Sequence, residues 1–450
     1  MSNLVHRSLT AAPPLAAGSG GLYLYDRDGR AIIDGSGGAA VACIGHRHPK
    51  VVAAIKAQLD TLDFAHTGLF SCASAERLAE MMVGHAPGGL THAYFCSSGS
   101  EGNEAAIKMA RQYFVEIGEP ERVHFIARRQ SYHGNTLGAL SASGNAMRRK
   151  PYAPLLSPAF HHVSPCYAYR DRGDAESEAQ YVARLLAELE AEFQRLGPRQ
   201  VIGFIAEPVV GATLGCVAAL PGYFAGVREI CDRHGALLIL DEVMSGMGRT
   251  GTLHAWEQEG IAPDIQVVAK GLGGGYQPIG GILVAGRVIE GIARGAGAFM
   301  HGHTYQAHPV ACAAAVAVQE VMAEEGLVAN CRAMGARLEQ RLIERLGNHR
   351  RIGDIRGRGL FWAVEFVTDR ASKQPFDPAL KLHDRVKREA YARGLACYPM
   401  GGTIDGRLGD HVILAPPYTV TPAEVDRIVE IFGAAVEAAL TAAVTEGGVA

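Results

Sequence analysis

Lys270 closes the apolar run IQVVAK and is followed by glycines at positions 271, 273, 274 and 275. A lysine there is costly to bury unless it is paired, neutral or covalently used. The plain alternative is a strand-end lysine whose stem covers apolar surface while its head reaches water. The glycines imply close approach by something bulky and flat. Asp241 and Glu242 close a second apolar run, ALLILDE. Carboxylates at the end of a buried strand need a cation or hydrogen-bond donors to remain there. Glu242 is expected to stabilise the following loop and to pair with Arg249. The third feature is CSSGSEGNEAAIKMAR, residues 96–111, where a strand gives way to a helix. A helix start exposes unpaired N–H groups at the positive end of its dipole, which suits a phosphate. Gly99 lets the chain turn, and Ser98 and Ser100 can cap the helix or donate to an anion. Ser98 and Glu101 also fit a capping box, so an ordinary helix start is the competing account.

An amine, a strand-end carboxylate and an anion cradle are what pyridoxal phosphate requires together. Its aldehyde takes a lysine, its ring nitrogen wants a carboxylate partner, and its phosphate wants backbone donors. Other readings fit less well. GMGRTG, residues 246–251, satisfies G-x-G-x-x-G, but two carboxylates precede it and the short TLHAWEQEG follows where a dinucleotide site needs a helix. His46 and His48, or His301, His303 and His308, have no acidic partner at a familiar metal spacing, so no metal is expected. A net charge of -3 on 450 residues gives no reason to expect nucleic acid or an anionic membrane. The nine cysteines are widely spaced without a CxxC pair and read as reduced thiols. The N-terminal MSNLVHRSLTAAPPLAAGSG does not look like a secretory signal, and together these point to the cytoplasm.

These residues need a frame to hold them. Short apolar strands near residues 91–100, 121–130, 161–165, 201–210, 235–242, 265–272 and 280–286, the first running into a serine-glycine loop, alternate with helical stretches such as 101–114, 176–195 and 221–234. That rhythm predicts an α/β fold with a mostly parallel sheet. Residues 21–34 read as a hairpin turning at Asp28-Gly29, and helices are expected over 49–60 and 73–85. ACAAAVAVQE, from 311, reads as a tightly packed internal helix too short to cross a bilayer. Beyond residue 325 come helices over 329–346 and 380–394, strands at 359–367 and 411–414, and a terminal helix near Thr421. This predicts a smaller α/β lobe. The expected divisions are 1–55 as an N-terminal segment joining the small lobe, 56–325 as the large lobe, and 326–450 as the C-terminal small lobe.

SSGSEGNEAAIKMAR, SYHGNTLGAL, AEPVVG, LLILDEVMSGMGRTG, AKGLGGGYQPIGG and HGHTYQAHPVACAAA, in this order, resemble the class III, or omega-type, aminotransferases of the fold type I pyridoxal-phosphate enzymes. The resemblance runs from about residue 21 to 432 and implies a large seven-stranded-type sheet domain with a smaller α/β domain. It implies that Lys270 carries the cofactor and Asp241 partners its ring nitrogen. It also implies cofactor contacts from Gly99, Ser100, Tyr132, His133, Glu207 and Val243, with the Tyr132 ring on one face and Val243 on the other. His303 and Thr304 would close the phosphate site from the neighbouring subunit, so a homodimer with shared active sites, or a tetramer, is implied. Arg407, in GGTIDGRLGDHVIL, is the candidate for a substrate carboxylate, although its spacing to Gly409 departs from the family pattern. SGGAAVAC, residues 36–43, is small and apolar where relatives carry a pocket tryptophan, and Met244 and Met247 replace common glutamine and phenylalanine. The implied reaction is transamination from an amine or omega-amino acid to a keto acid, pyruvate before 2-oxoglutarate. An aminomutase of the glutamate-semialdehyde type is the alternative, and a non-enzymatic descendant is a remote one.

Overall fold

The computed structural model describes residues 3–84 and 88–447. The expected end of the 73–85 helix, and the outermost residues of the first and last expected divisions, lie outside the described residues. Seventeen strands follow in chain order: β1 Ala16–Gly20, β2 Tyr23–Asp26, β3 Ala31–Asp34, β4 Leu90–Cys96, β5 His124–Arg128, β6 Phe160–Val163, β7 Val201–Ala206, β8 Val209–Val210, β9 Val217–Ala218, β10 Leu237–Asp241, β11 Ile265–Val268, β12 Gly280–Ala285, β13 Ile352–Arg358, β14 Phe361–Phe366, β15 Leu395–Ala396, β16 Tyr398–Gly401 and β17 Asp410–Leu414.

The large sheet has seven strands in the order β4-β12-β11-β10-β7-β5-β6. Only β12 runs against its neighbours. The central strands are buried on both faces, which is why they read as unbroken apolar runs. β10 shows the alternation directly. Leu238 and Leu240 pack with helices Glu178–Leu196 and Tyr223–His234. Leu237 and Ile239 point to the opposite face, with helix Gly99–Glu116. The mostly parallel α/β expectation is therefore met, and the strand ends gather at one edge of the sheet, where open α/β folds place ligands.

A second sheet, β13-β14-β17-β16, is antiparallel throughout. Helices Leu327–Leu346, Leu382–Ala392 and Pro422–Gly447 cover it, burying Leu338, Trp362, Val386, Val412 and Phe432 in one core. The N-terminal hairpin belongs to a third sheet, β1-β2-β3-β15, in which Ile33 pairs with Leu395. Helix Pro309–Glu324 ties the cores together, with Ala311, Cys312 and Ala315 in the large-sheet core and Ala314, Ala317 and Val318 in the other.

Several elements had no clear sequence signal. β1, β9, β15 and β16 are too short or too polar to show a strand pattern, while β8 falls inside the strand expected at 201–210 but is separate from β7. Helix Gly286–Arg294 contains Gly291, a poor helix former. The glycine is explained by packing, since a Cβ there would stand 2.6 Å from the Tyr113 ring.

Candidate functional site

Eight of the expected site residues meet at one cavity of about 430 Å³: Lys270, Asp241, Gly99, Ser100, Tyr132, His133, Glu207 and Val243. That size suits a small-molecule ligand. His303, Thr304 and Arg407 do not line it. His303 is half-buried with its ring edge-on to His301, and Thr304 and Arg407 are exposed. Of SGGAAVAC only Val41 reaches the wall, and of the two noted methionines only Met244 does. Met247 is buried behind the lysine turn, 2.9 Å from where a Cβ on Gly271 would lie.

Asp241 ends β10 at the cavity and is 3% exposed. Its Oδ1 accepts from the N–H of Val243 at 3.0 Å. Its Oδ2 accepts from Asn103 Nδ2 at 3.0 Å and lies 2.8 Å from His133 Nδ1. A carboxylate acceptor requires the proton on His133 Nδ1, which leaves Nε2, buried and without a partner among the described residues. These donors hold the carboxylate in one orientation.

Asn103 was missed from sequence. It is a poor helix former four residues into a helix, and that is the signal it left. It also donates to the Gly99 carbonyl, which ties the helix start to the Asp241 carboxylate.

Glu242 turns the other way. It accepts from the N–H groups of Ala255 and Trp256 and from Gln266 Nε2. Burial pushes its carboxyl up to about 8. The expected pairing with Arg249 is not formed. Arg249 instead donates to the Leu360 and Pro416 carbonyls and lies 4.5 Å from the Tyr418 ring centroid. Glu242 does fix the loop, as expected, through backbone donors rather than through an ion pair.

Lys270 follows β11 and opens a short turn, Lys270–Leu272. Its φ is +42°, a left-handed conformation that costs a non-glycine residue energy and recurs at functional sites. The Gly273 and Gly274 N–H groups close the turn onto its carbonyl. Burial lowers its amine to about 8, against the opposing pull of Asp241 and Glu207. No hydrogen bond or ion pair engages its amine among the described residues. The glycines beside it have a different explanation from the one expected. A Cβ on Gly271 would meet Met247, and one on Gly273 would lie 2.6 Å from Ile279, so these two serve backbone packing. Gly275 alone of the four lines the cavity.

At the start of helix Gly99–Glu116, Ser98 Oγ accepts from the Glu101 N–H, and Glu101 in turn accepts from Ser97 rather than from Ser98. This shifted box leaves the first-turn amides of Gly99 and Ser100 at the cavity. A Cβ on Gly99 would lie 2.8 Å from Val243 Cγ2. Gly134, with φ +138°, passes so close that a Cβ would lie 2.6 Å from Ser100 Oγ. Glu207 is buried, accepts from the Tyr132 and Gly211 N–H groups, and is raised by burial. The cavity thus offers backbone donors for a phosphate, a fixed carboxylate for a ring nitrogen, and an unpaired amine of lowered basicity. That set fits pyridoxal phosphate.

The aminotransferase class-III family model matches residues 9–436. An uncharacterized aminotransferase of Schizosaccharomyces pombe is 47% identical over 427 residues, covering 95% of this chain and 93% of that protein. A thermostable (S)-enantioselective omega-transaminase from Thermomicrobium roseum is similar in structure, with a TM-score of 0.90 and 37% identity over 96% of this chain and 94% of the other. An amine transaminase from an uncultivated Pseudomonas species, in PLP-bound form, has a TM-score of 0.90 and 35% identity over 98% and 99% of the two chains.

Proposed function

Because the chain belongs to the class III aminotransferases, we propose that it moves an amino group from an amine or omega-amino acid to a keto acid, with pyruvate as the favoured acceptor. The observation that carries this reading is the unpaired, low-basicity Lys270 in one cavity with the anchored Asp241. The cofactor is pyridoxal 5'-phosphate, which when bound supplies an aldehyde for the lysine and a protonated ring that draws electron density from the substrate carbon. Gly99 and Ser100 hold the phosphate with first-turn amides. Tyr132 and Val243 would confine its flat ring, with Glu207 beside it in the same cavity. Asp241, held by Asn103 and His133, keeps a negative charge beside the ring nitrogen.

In the donor half Lys270 Nζ takes a proton from the substrate carbon as general base, and in the acceptor half, which runs in reverse, it delivers a proton to that carbon as general acid. Its lowered basicity leaves much of the free amine neutral near pH 8. The two halves share one cavity, so donor product leaves before the acceptor enters, a ping-pong order. Arg407 receives the keto acid's carboxylate. His303 and Thr304 of a second copy complete the phosphate site, which makes the working unit a homodimer or a pair of homodimers. The mutase alternative needs no free keto acid, and the relatives named above are aminotransferases.

The test is an amino-transfer assay with an amine and pyruvate, following alanine formation. Lys270→Ala is expected to lower the rate by about 10³-fold or more. Turnover unchanged in that variant sinks the assignment.

A further inference from the structure

Arg148 stands beside the cavity without an acidic partner. Its guanidinium carbon lies 4.7 Å from the centroid of the Tyr132 ring, and Tyr132 forms part of the cavity wall. The residue is half-buried, yet among the described residues no hydrogen bond or ion pair engages its guanidinium. Its neighbour Arg149 shows the usual solution, donating to the carbonyls of Leu140, Ser141 and Ser143. The Arg148 nitrogens are not sealed from water, so the guanidinium is open to an anion from outside the chain.

The surroundings hold it in place. Asn145 caps the short helix Ala146–Arg149 by accepting from the Arg148 N–H, and its amide donates to Gln130. Gln130, at φ +58°, donates in turn to the Gly402 carbonyl, at the start of the loop that carries Arg407. A Cβ on Gly406 would lie 3.1 Å from the Met147 N atom, so that loop packs on the Arg148 helix. Arg148 and Arg407 therefore sit on two adjoining segments, one anchored and one exposed. Arg7 is a second positive charge, after Arg148, acting on the Tyr132 phenol.

We propose that Arg148 binds the remote carboxylate of an omega-amino acid donor. This rests on the aminotransferase reading above. Such a donor carries its reacting amine at one end and a carboxylate several bonds away. With the amine at Lys270, the chain runs past Tyr132 and its carboxylate meets the guanidinium. Its place over the ring holds the guanidinium carbon near the cavity wall and leaves its N–H groups for a bidentate contact. Pyruvate, whose carboxylate adjoins its carbonyl, does not reach this position. Arg148 thus sets which donors bind and leaves the proton transfers to Lys270.

Holoenzyme and its Arg148→Gln and Arg148→Lys variants are compared by spectral titration of the donor half-reaction. The donors are a short straight-chain omega-amino acid and the unbranched amine of the same length. Binding of the unreactive straight-chain carboxylic acid is measured by calorimetry. Arg148→Gln is expected to weaken the omega-amino acid and the carboxylic acid at least about tenfold. The plain amine and pyruvate should change by no more than about twofold, and lysine should restore part of the loss. Equal losses on amine and omega-amino acid, or no loss on either, overturn the proposal, since Arg148 would then only position Tyr132 or do nothing for the donor. A wild-type holoenzyme that neither donor converts fails the underlying aminotransferase reading, a result distinct from any effect of the variants.

Discussion

In the proposed mechanism Asp241 and Lys270 divide the chemistry at the residue scale, and each carries a prediction. Asp241→Asn keeps the shape but removes the charge, and the Asn103 and His133 donors then face a weaker acceptor. The variant should fold and bind cofactor, but its proton-abstraction step, followed by stopped-flow absorbance with a deuterated donor, should slow by at least about 10²-fold. A rate near wild type would remove Asp241 from the mechanism. Lys270 in cofactor-free protein must be neutral to attack the aldehyde. Burial lowers its amine from 10.5 to about 8, so the rate of cofactor uptake should rise with pH and level off above 8. A midpoint near 10.5 would mean that Lys270 is solvated. Both residues were legible in the sequence because polar atoms ending buried strands stand out. Asn103 was not, and His133 was named only as a cofactor contact, since both acquire their hold on the carboxylate only when the helix start and the Tyr132 turn meet at Asp241.

At the scale of elements, the strand-to-helix turns position the site. Gly134→Ala would put a Cβ 2.6 Å from Ser100 Oγ, with strain from φ +138° as well. It should weaken cofactor affinity at least about tenfold, by fluorescence titration, while the far-ultraviolet dichroism stays unchanged. Ser98→Ala removes the cap of helix Gly99–Glu116 and should cost about 1 kcal/mol in denaturant unfolding. Glu242 supplies a pH-dependent test of the loop behind Asp241. Its folded carboxyl, at about 8, holds a proton that the unfolded chain releases near 4.5, so this residue makes stability fall as pH rises between those values. Glu242→Gln should flatten that fall in a melting-temperature series across the window, and an unchanged slope would mean that Glu242 is not the source. The sequence announced long elements with strong periodicity. It was silent on β9, β15 and helix Gly286–Arg294, whose glycine is required by contact with a ring far along the chain. The glycines after Lys270 show the same limit, because close approach was legible but not whether backbone or ligand approaches.

For the whole molecule, helix Pro309–Glu324 joins the two cores and the N-terminal hairpin pairs with β15 late in the chain. Long-range pairing of this kind is invisible in local patterns, although the smaller C-terminal lobe could be expected from its change of texture. Leu69, Phe70, Met300 and Tyr305 are exposed, and the Phe64 and Tyr305 rings, 5.8 Å apart, bring the two segments together at an apolar surface. Such a surface calls for a partner, and the proposed homodimer supplies it. Phe70→Asp should shift the light-scattering mass toward the monomer and loosen the cofactor together, whereas a wild-type monomer would refute the shared site. The most direct test of the central claim is the visible spectrum of the purified holoenzyme through the two half-reactions. The account predicts that an amine or omega-amino acid bleaches the lysine-bound cofactor band and that pyruvate restores it, with no band formed by Lys270→Ala. A wild-type protein that stays colourless with ample pyridoxal phosphate would contradict it.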